Sequence, residues 1–140
     1  MPERTQIRVG DSRAEKVVDN LTRSQIVMYA GASGDYNPVH TDEVYVTQVA
    51  GHPTVFAHGM LTMGATGKVL TDWVGNGRLT HFGVRFVNLV RPGDTLTATA
   101  TVEALRLDET GRHLADFSVV TTNQHGLPVV VGQATAEVDP

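Results

Sequence analysis

The stretch Ser33-Gly34-Asp35-Tyr36-Asn37-Pro38-Val39-His40-Thr41-Asp42 is the densest polar cluster of the chain. Asp35 and His40 stand five residues apart with Pro38 between them. Proline biases the residue before it away from the helical region, so the loop can fold back and bring carboxylate and imidazole towards one point. A neutral imidazole, with an ordinary pKa of about 6.5, accepts a proton near neutrality. A carboxylate beside it can hold a water and exchange a proton with substrate. Asp35 and His40 are therefore a candidate acid–base dyad acting on water, with Asn37 a candidate for fixing the imidazole tautomer or the water. The same spacing also describes an Asx turn followed by helix caps, with His40 hydrogen-bonded and inert. A metal set drawn from Asp35, His40, Asp42 or His58 is the weaker alternative. An EF-hand register fails, because Val39 and His40 stand where a polar ligand and a glycine are required. No metal and no cofactor are expected.

The second feature is Ala57-His58-Gly59-Met60, at the start of an apolar helical pattern. The first amides of a helix lack partners and lie at its positive end. Gly59 carries no side chain, so a ligand oxygen can approach its amide, the geometry that stabilises an oxyanion or enolate. A glycine that merely permits a tight helix start explains the residue equally well. His58, taken alone, reads as a buried structural histidine.

The elements that must position these groups follow from periodicity. Thr22 and Gln25 form a capping box for a helix from Thr22 to about Gly31, with Leu21 and Ile26 as its hydrophobic staple. A short helix is expected around Asp42–Ala50. His58–Val74 is apolar most of the way round and reads as a buried helix. Its Gly64 and Gly67 each cost about 1 kcal/mol of helix propensity, which suggests that a backbone or a ligand comes close there. Gly75-Asn76-Gly77 stops it. In the second half Leu96, Ala98, Ala100, Val102 and Ala104 alternate with Thr97, Thr99, Thr101 and Glu103, the pattern of a half-buried strand. Leu114–Thr122, Val129–Val138 and Thr80–Leu89 read as three more strands, and Gln6–Val9 as a short edge strand. The expected class is α+β: an antiparallel sheet of about five strands with a helix that needs a sheet around it.

Composition bounds the rest. The 140 residues make one domain, 1–140, with 41 % hydrophobic and 19 % charged residues, a balance that excludes a disordered polymer. A net charge of −4 supplies no basic field for nucleic acid or anionic lipid. The absence of cysteine excludes disulfides, thiolate metal sites and thiol nucleophiles. No apolar run approaches the roughly 20 residues of a membrane span, and Met1-Pro2-Glu3-Arg4-Thr5 lacks the start of a secretory signal. A cytoplasmic protein is the resulting expectation.

Taken together, Tyr29 to Asp42 and then Ala57-His58-Gly59-Met60 resemble the hydratase motif of the MaoC-like, (R)-specific enoyl-thioester hydratases and dehydratases. Arg91-Pro92-Gly93-Asp94-Thr95-Leu96 is similar to that family's turn before a strand. The resemblance spans nearly the whole chain and implies a hot-dog fold, a curved antiparallel sheet wrapped around a long central helix. It implies that Asp35 and His40 form the catalytic dyad around a water, and that the Gly59 amide binds the thioester carbonyl oxygen. Asn37 supports the loop, and Ser33 and Asp42 act as turn or cap residues. The implied substrate is an acyl thioester of CoA or acyl carrier protein. The implied assembly is a homodimer, or a heterodimer with a second hot-dog subunit. Arg4, Arg8, Arg85 and Arg91 are candidates for docking an acidic carrier. One departure stands out: many relatives carry serine eight residues after the motif glycine, where this chain has Gly67. A hot-dog thioesterase and a non-catalytic subunit are the alternative functions.

Overall fold

The computed structural model describes residues 6–140, so Arg4 and the leader reading of residues 1–5 lie outside the described residues. The chain runs β1 (Ser12–Val18), α1 (Arg23–Ser33), a single 3-10 turn (Pro38–His40), α2 (Glu43–Gln48), α3 (Gly59–Val74), and then β2 (Leu79–Phe86), β3 (Leu96–Leu107), β4 (His113–Thr122) and β5 (Pro128–Glu137). All five strands join one antiparallel sheet in the order β1-β3-β4-β5-β2, leaving β1 and β2 as edges. The sheet curves around α3, which is the α+β hot-dog arrangement.

Small side chains let the sheet close on the helix. Ala98 and Ala100 of β3, Ala115 of β4, and Ala134 and Ala136 of β5 are fully buried and pack in one cluster with Val69 and Leu70 of α3. Larger residues there would push the helix away from the sheet. Phe117 fills the remaining depth, with its ring edge against Trp73 at 5.3 Å between centroids. A buried polar link sits in the same layer. The Thr66 hydroxyl donates to the Thr62 carbonyl (2.8 Å) and lies 2.6 Å from the Thr121 hydroxyl, tying helix to β4.

Helix α1 starts at the expected capping box. The Gln25 amide donates to Thr22 Oγ1 (3.0 Å) and the Thr22 amide to Gln25 Oε1 (2.8 Å), while Leu21 and Ile26 are buried together. The helix runs two residues further than periodicity indicates, to Ser33, and stops at Gly34 in the left-handed conformation (φ 75°). Asp42 caps α2 by accepting from the Tyr45 amide at 3.0 Å.

Several expectations need correction. Gln6–Val9 forms no strand: Asp11 Oδ2 accepts the Arg8 amide at 2.9 Å and Gly10 turns with φ 92°. The edge strand is Ser12–Val18 instead. Its Arg13, Glu15 and Lys16 hide it from a search for apolar alternation, as polar residues commonly do on an edge. The strand expected over Thr80–Leu89 ends at Phe86, because Val87 and Asn88 turn away to donate their amides to the Val129 carbonyl. Strand β3 outlasts its alternation to Leu107, with a register shift between Val102 and Ala104. Helix α3 is not buried all round: Met60, Gly64, Lys68 and Asp72, one turn apart, form an exposed stripe. The two glycines of α3 therefore differ. A Cβ on Gly67 would stand 3.3 Å from the Phe82 ring of β2, so that ring takes the space a side chain there would need. A Cβ on Gly64 would meet nothing within 4 Å. Among the described residues no helix is long and apolar enough to cross a membrane.

Two glycine substitutions should move stability in opposite directions. Gly64→Ala should raise the unfolding free energy by about 0.5–1 kcal/mol through helix propensity. A Cβ on Gly132 would stand 2.2 Å from the Gly83 carbonyl oxygen across the β2–β5 pair, so Gly132→Ala should lower it by about 1–3 kcal/mol. Urea denaturation of each variant checks both. A third variant tests charge. The forked pair from Arg106 (2.9 and 3.3 Å) and the Thr135 hydroxyl (2.7 Å) hold the Asp116 carboxyl below its usual range. A depressed carboxylate stabilises above its unfolded pKa, about 3.9, and loses that contribution as pH falls through the folded value. Asp116→Asn should therefore destabilise at pH 7 and have a shrinking effect below pH 4 in denaturation midpoints.

Candidate active site

The site is assembled by the excursion between α1 and α3, residues 34–58. The left-handed Gly34 reverses the chain as it leaves α1, and the Asp35 amide donates to Ser33 Oγ at 3.2 Å. The Asn37 amide then donates to Asp35 Oδ1 (3.2 Å), which orients the carboxylate. Asn37 Oδ1 accepts the Val39 amide (3.2 Å) and so caps the single turn Pro38–His40. Ser33 and Asn37 thus act on backbone, and both serve to carry Asp35 and His40.

His40 is 8 % exposed, whereas the Asp35 side chain is 54 % exposed. Asp35 Oδ2 lies 3.8 Å from His40 Nε2, too far for a direct hydrogen bond but close enough for both atoms to contact one water. His40 Nδ1 lies 2.6 Å from the carbonyl oxygen of Phe56. A carbonyl only accepts, so Nδ1 carries the proton and Nε2 faces Asp35 with a lone pair. The tautomer is fixed by this main-chain carbonyl, and Asn37, a candidate for that task from its position, caps the turn instead. The Phe56 ring meets His40 edge-on at 5.3 Å between centroids.

His58, 2 % exposed, stacks flat against His40 with centroids 3.8 Å apart and planes 24° apart. Its Nε2 lies 3.0 Å from the Asp35 carbonyl oxygen, and the Tyr29 ring covers it at 4.8 Å. Asp35, His40 and His58 offer ligand atoms within 4.8 Å of one another, the donor types of a cation site. His58 Nε2 is, however, committed as a donor to the Asp35 carbonyl.

Gly59 begins α3, so its amide has no partner one turn back. A cavity of about 190 Å³ lies against it, lined also by His40, Thr62, Phe86, Leu89 and Val129. A Cβ on Gly59 would stand 3.0–3.1 Å from the Phe86 ring, so glycine here also admits the aromatic side chain that walls the cavity. Larger hollows lie elsewhere, of about 390 Å³ beside Ile7, Leu105 and Leu107 and about 590 Å³ beside His81 and Gln133, and these are lined by neither Asp35 nor His40. The structure thus brings Asp35, His40, Gly59 and His58 to one place, with Ser33 and Asn37 in the loop that carries them. Two contributors carry no sequence signal of their own: the Phe56 carbonyl is main chain that any residue supplies, and Phe86 is a ring whose neighbours only the tertiary fold decides. Tyr29 opens the motif stretch, but its place over His58 is set by the fold.

Comparison with known proteins gives the family and the fold. Residues 4–124 match the family described as MaoC like domain. The (R)-specific enoyl-CoA hydratase of Rhodospirillum rubrum is 33 % identical over 132 residues, covering 93 % of this chain and 88 % of that protein. The 3-hydroxyacyl-thioester dehydratase Y of Mycobacterium tuberculosis is 36 % identical over 90 residues. That match covers 62 % of this chain and only 31 % of the dehydratase, so this chain spans about a third of that relative's length. The solved (R)-hydratase of A. caviae, described as involved in PHA biosynthesis, superposes with a TM-score of 0.77 at 25 % identity, covering 95 % of this chain and 98 % of that one. On the family match over most of its length, with the hot-dog sheet and its central helix in place, the chain belongs to the MaoC-like domain family.

Proposed function

We propose that this chain catalyses the (R)-specific hydration of trans-2-enoyl thioesters and its reverse, dehydration of (3R)-hydroxyacyl thioesters, in fatty-acid metabolism. The observation that carries the reading is the Asp35 carboxylate 3.8 Å from a His40 Nε2 whose lone pair is exposed by the Phe56 carbonyl. The names of the relatives support it.

Hydration requires a base for water, a donor to the enolate oxygen and a proton for the α-carbon. A water touching both Asp35 Oδ2 and His40 Nε2 gives a proton to the dyad as its oxygen bonds to the β-carbon. The double-bond electrons move to the thioester oxygen, which takes the Gly59 amide at the positive end of α3. The enolate collapses as the dyad returns a proton to the α-carbon. Water adds across the double bond with no net change in the dyad, and dehydration retraces the path. The buried wall of His40, Thr62 and Val129 keeps bulk water from the enolate. The carrier is CoA or acyl carrier protein, with Arg8, Arg85 and Arg91 exposed to meet its phosphates. Residues 1–140 act as one hot-dog domain that pairs with a second, identical or related, through the open edge of β2.

Asp35→Asn and His40→Gln should each lower kcat for enoyl-CoA hydration by about 10²–10⁴-fold with the fold retained by circular dichroism. Near wild-type turnover in both variants, or release of free thiol as the main reaction, would sink the assignment. The amide of Gly59 is tested by a pair of variants. Proline is tolerated at a first helical position, and His58 already has the extended conformation (φ −60°, ψ 136°) that precedes proline. Gly59→Pro removes the N–H, while Gly59→Ala keeps it and controls for crowding of Phe86. Relative to Gly59→Ala, Gly59→Pro should lose about 10²–10³-fold in kcat; equal rates would remove the amide from the mechanism.

A further inference from the structure

We propose that His58 is a positioning residue that sets the spacing of the Asp35–His40 dyad, an inference that rests on the hydratase reading above. His58 holds both members at once. Its Nε2–H donates to the main-chain carbonyl of Asp35 at 3.0 Å, and its ring face lies flat on His40 at 3.8 Å between centroids. The first contact fixes the backbone that carries the carboxylate, and the second fixes the plane of the imidazole. The 3.8 Å between Asp35 Oδ2 and His40 Nε2 is then governed by two contacts made by one rigid ring.

The electrostatic state of His58 separates this role from simple filling of space. With the proton on Nε2, the lone pair of Nδ1 points into the interior, where that atom is buried and has no hydrogen-bond partner. A buried acceptor without a donor is unfavourable. A phenylalanine or methionine would fill the site, 2 % exposed between Tyr29 and His40, without stranding that atom. What only a donor-bearing side chain adds is the hydrogen bond to Asp35. Strain of this kind, kept at a position whose ring touches both halves of the dyad, is the pattern expected where geometry serves the reaction rather than stability.

Methionine and glutamine have nearly the same shape and differ in the ability to donate, so His58→Met and His58→Gln make the comparison. His58→Met should lose about 10–10²-fold in kcat, the scale of a small misplacement of reacting groups, with KM within about twofold and a thermal midpoint equal to or above that of the wild type. His58→Gln, whose amide reaches the Asp35 carbonyl, should recover at least half of the loss on a logarithmic scale. Equal kcat in the two variants overturns the proposal, and so does a loss carried by KM or matched by a fall in thermal midpoint. If His58→Met does not fold, His58→Phe replaces it against the same glutamine variant. An independent readout is the ¹⁵N spectrum of the imidazoles in the wild-type protein. The proposal requires the His58 proton on Nε2, and a proton on Nδ1 overturns it whatever the activity. Absence of enoyl-thioester turnover in the wild type would instead remove the hydratase reading, while the tautomer would still report on the contact to Asp35.

Discussion

Helix α3 must lie deep inside the curve of the sheet, and the rest of the molecule is arranged around that requirement. Its N-terminal turns line a cavity together with His40, so the depth and angle of its seat decide where the Gly59 amide points. Five buried alanines from three neighbouring strands grant that depth. The Thr66–Thr121 link then ties the helix to β4, the Thr66 hydroxyl donating to the Thr62 carbonyl and lying 2.6 Å from the Thr121 hydroxyl in a buried layer. Gly67 belongs to the same constraint, because the Phe82 ring needs the room that a side chain at that position would take.

On this seat the site is made largely of main-chain contacts. The Phe56 carbonyl sets the His40 tautomer, the Asn37 amide orients the Asp35 carboxylate, and the Ser33 and Asn37 side chains serve the turn that presents both. The segment is joined to the connection between β2 and β3 through the Ala57 amide, which donates to the Val90 carbonyl at 2.7 Å. Side chains with chemical potential are thus few, and the turn chemistry around them is dense.

The parts of this design that were legible in the sequence are those that local rules govern. The Thr22–Gln25 box, the unbroken alternation of Leu96 to Ala104 and the Asp42 cap each depend on residues a few positions apart. The Asp35, Asn37, Pro38 and His40 spacing marked the turn and its polar cargo for the same reason. What escaped is decided across the fold. Strand β1 carries charges because an edge permits them. Gly64 and Gly67 look alike in sequence and differ only because Phe82 stands beside one of them. Asn37 looked suited to hold an imidazole, but its own backbone geometry turned the side chain onto Val39, leaving the task to a carbonyl that no residue type announces.

The dyad lies in a single excursion between two helices and takes no residue from the sheet, which has a consequence for how the molecule fails. Cooperative opening of proteins follows contiguous units, and those with few links to the main core open at lower free energy. Residues 34–58 lie outside the five strands and reach the core through Ala57, the Val90 carbonyl and the Arg23 contacts to Glu43 and Thr54. The contacts that hold carboxylate near imidazole are therefore different ones from those that pair strand with strand. Local opening of this segment would part Asp35 from His40 while every strand remains paired.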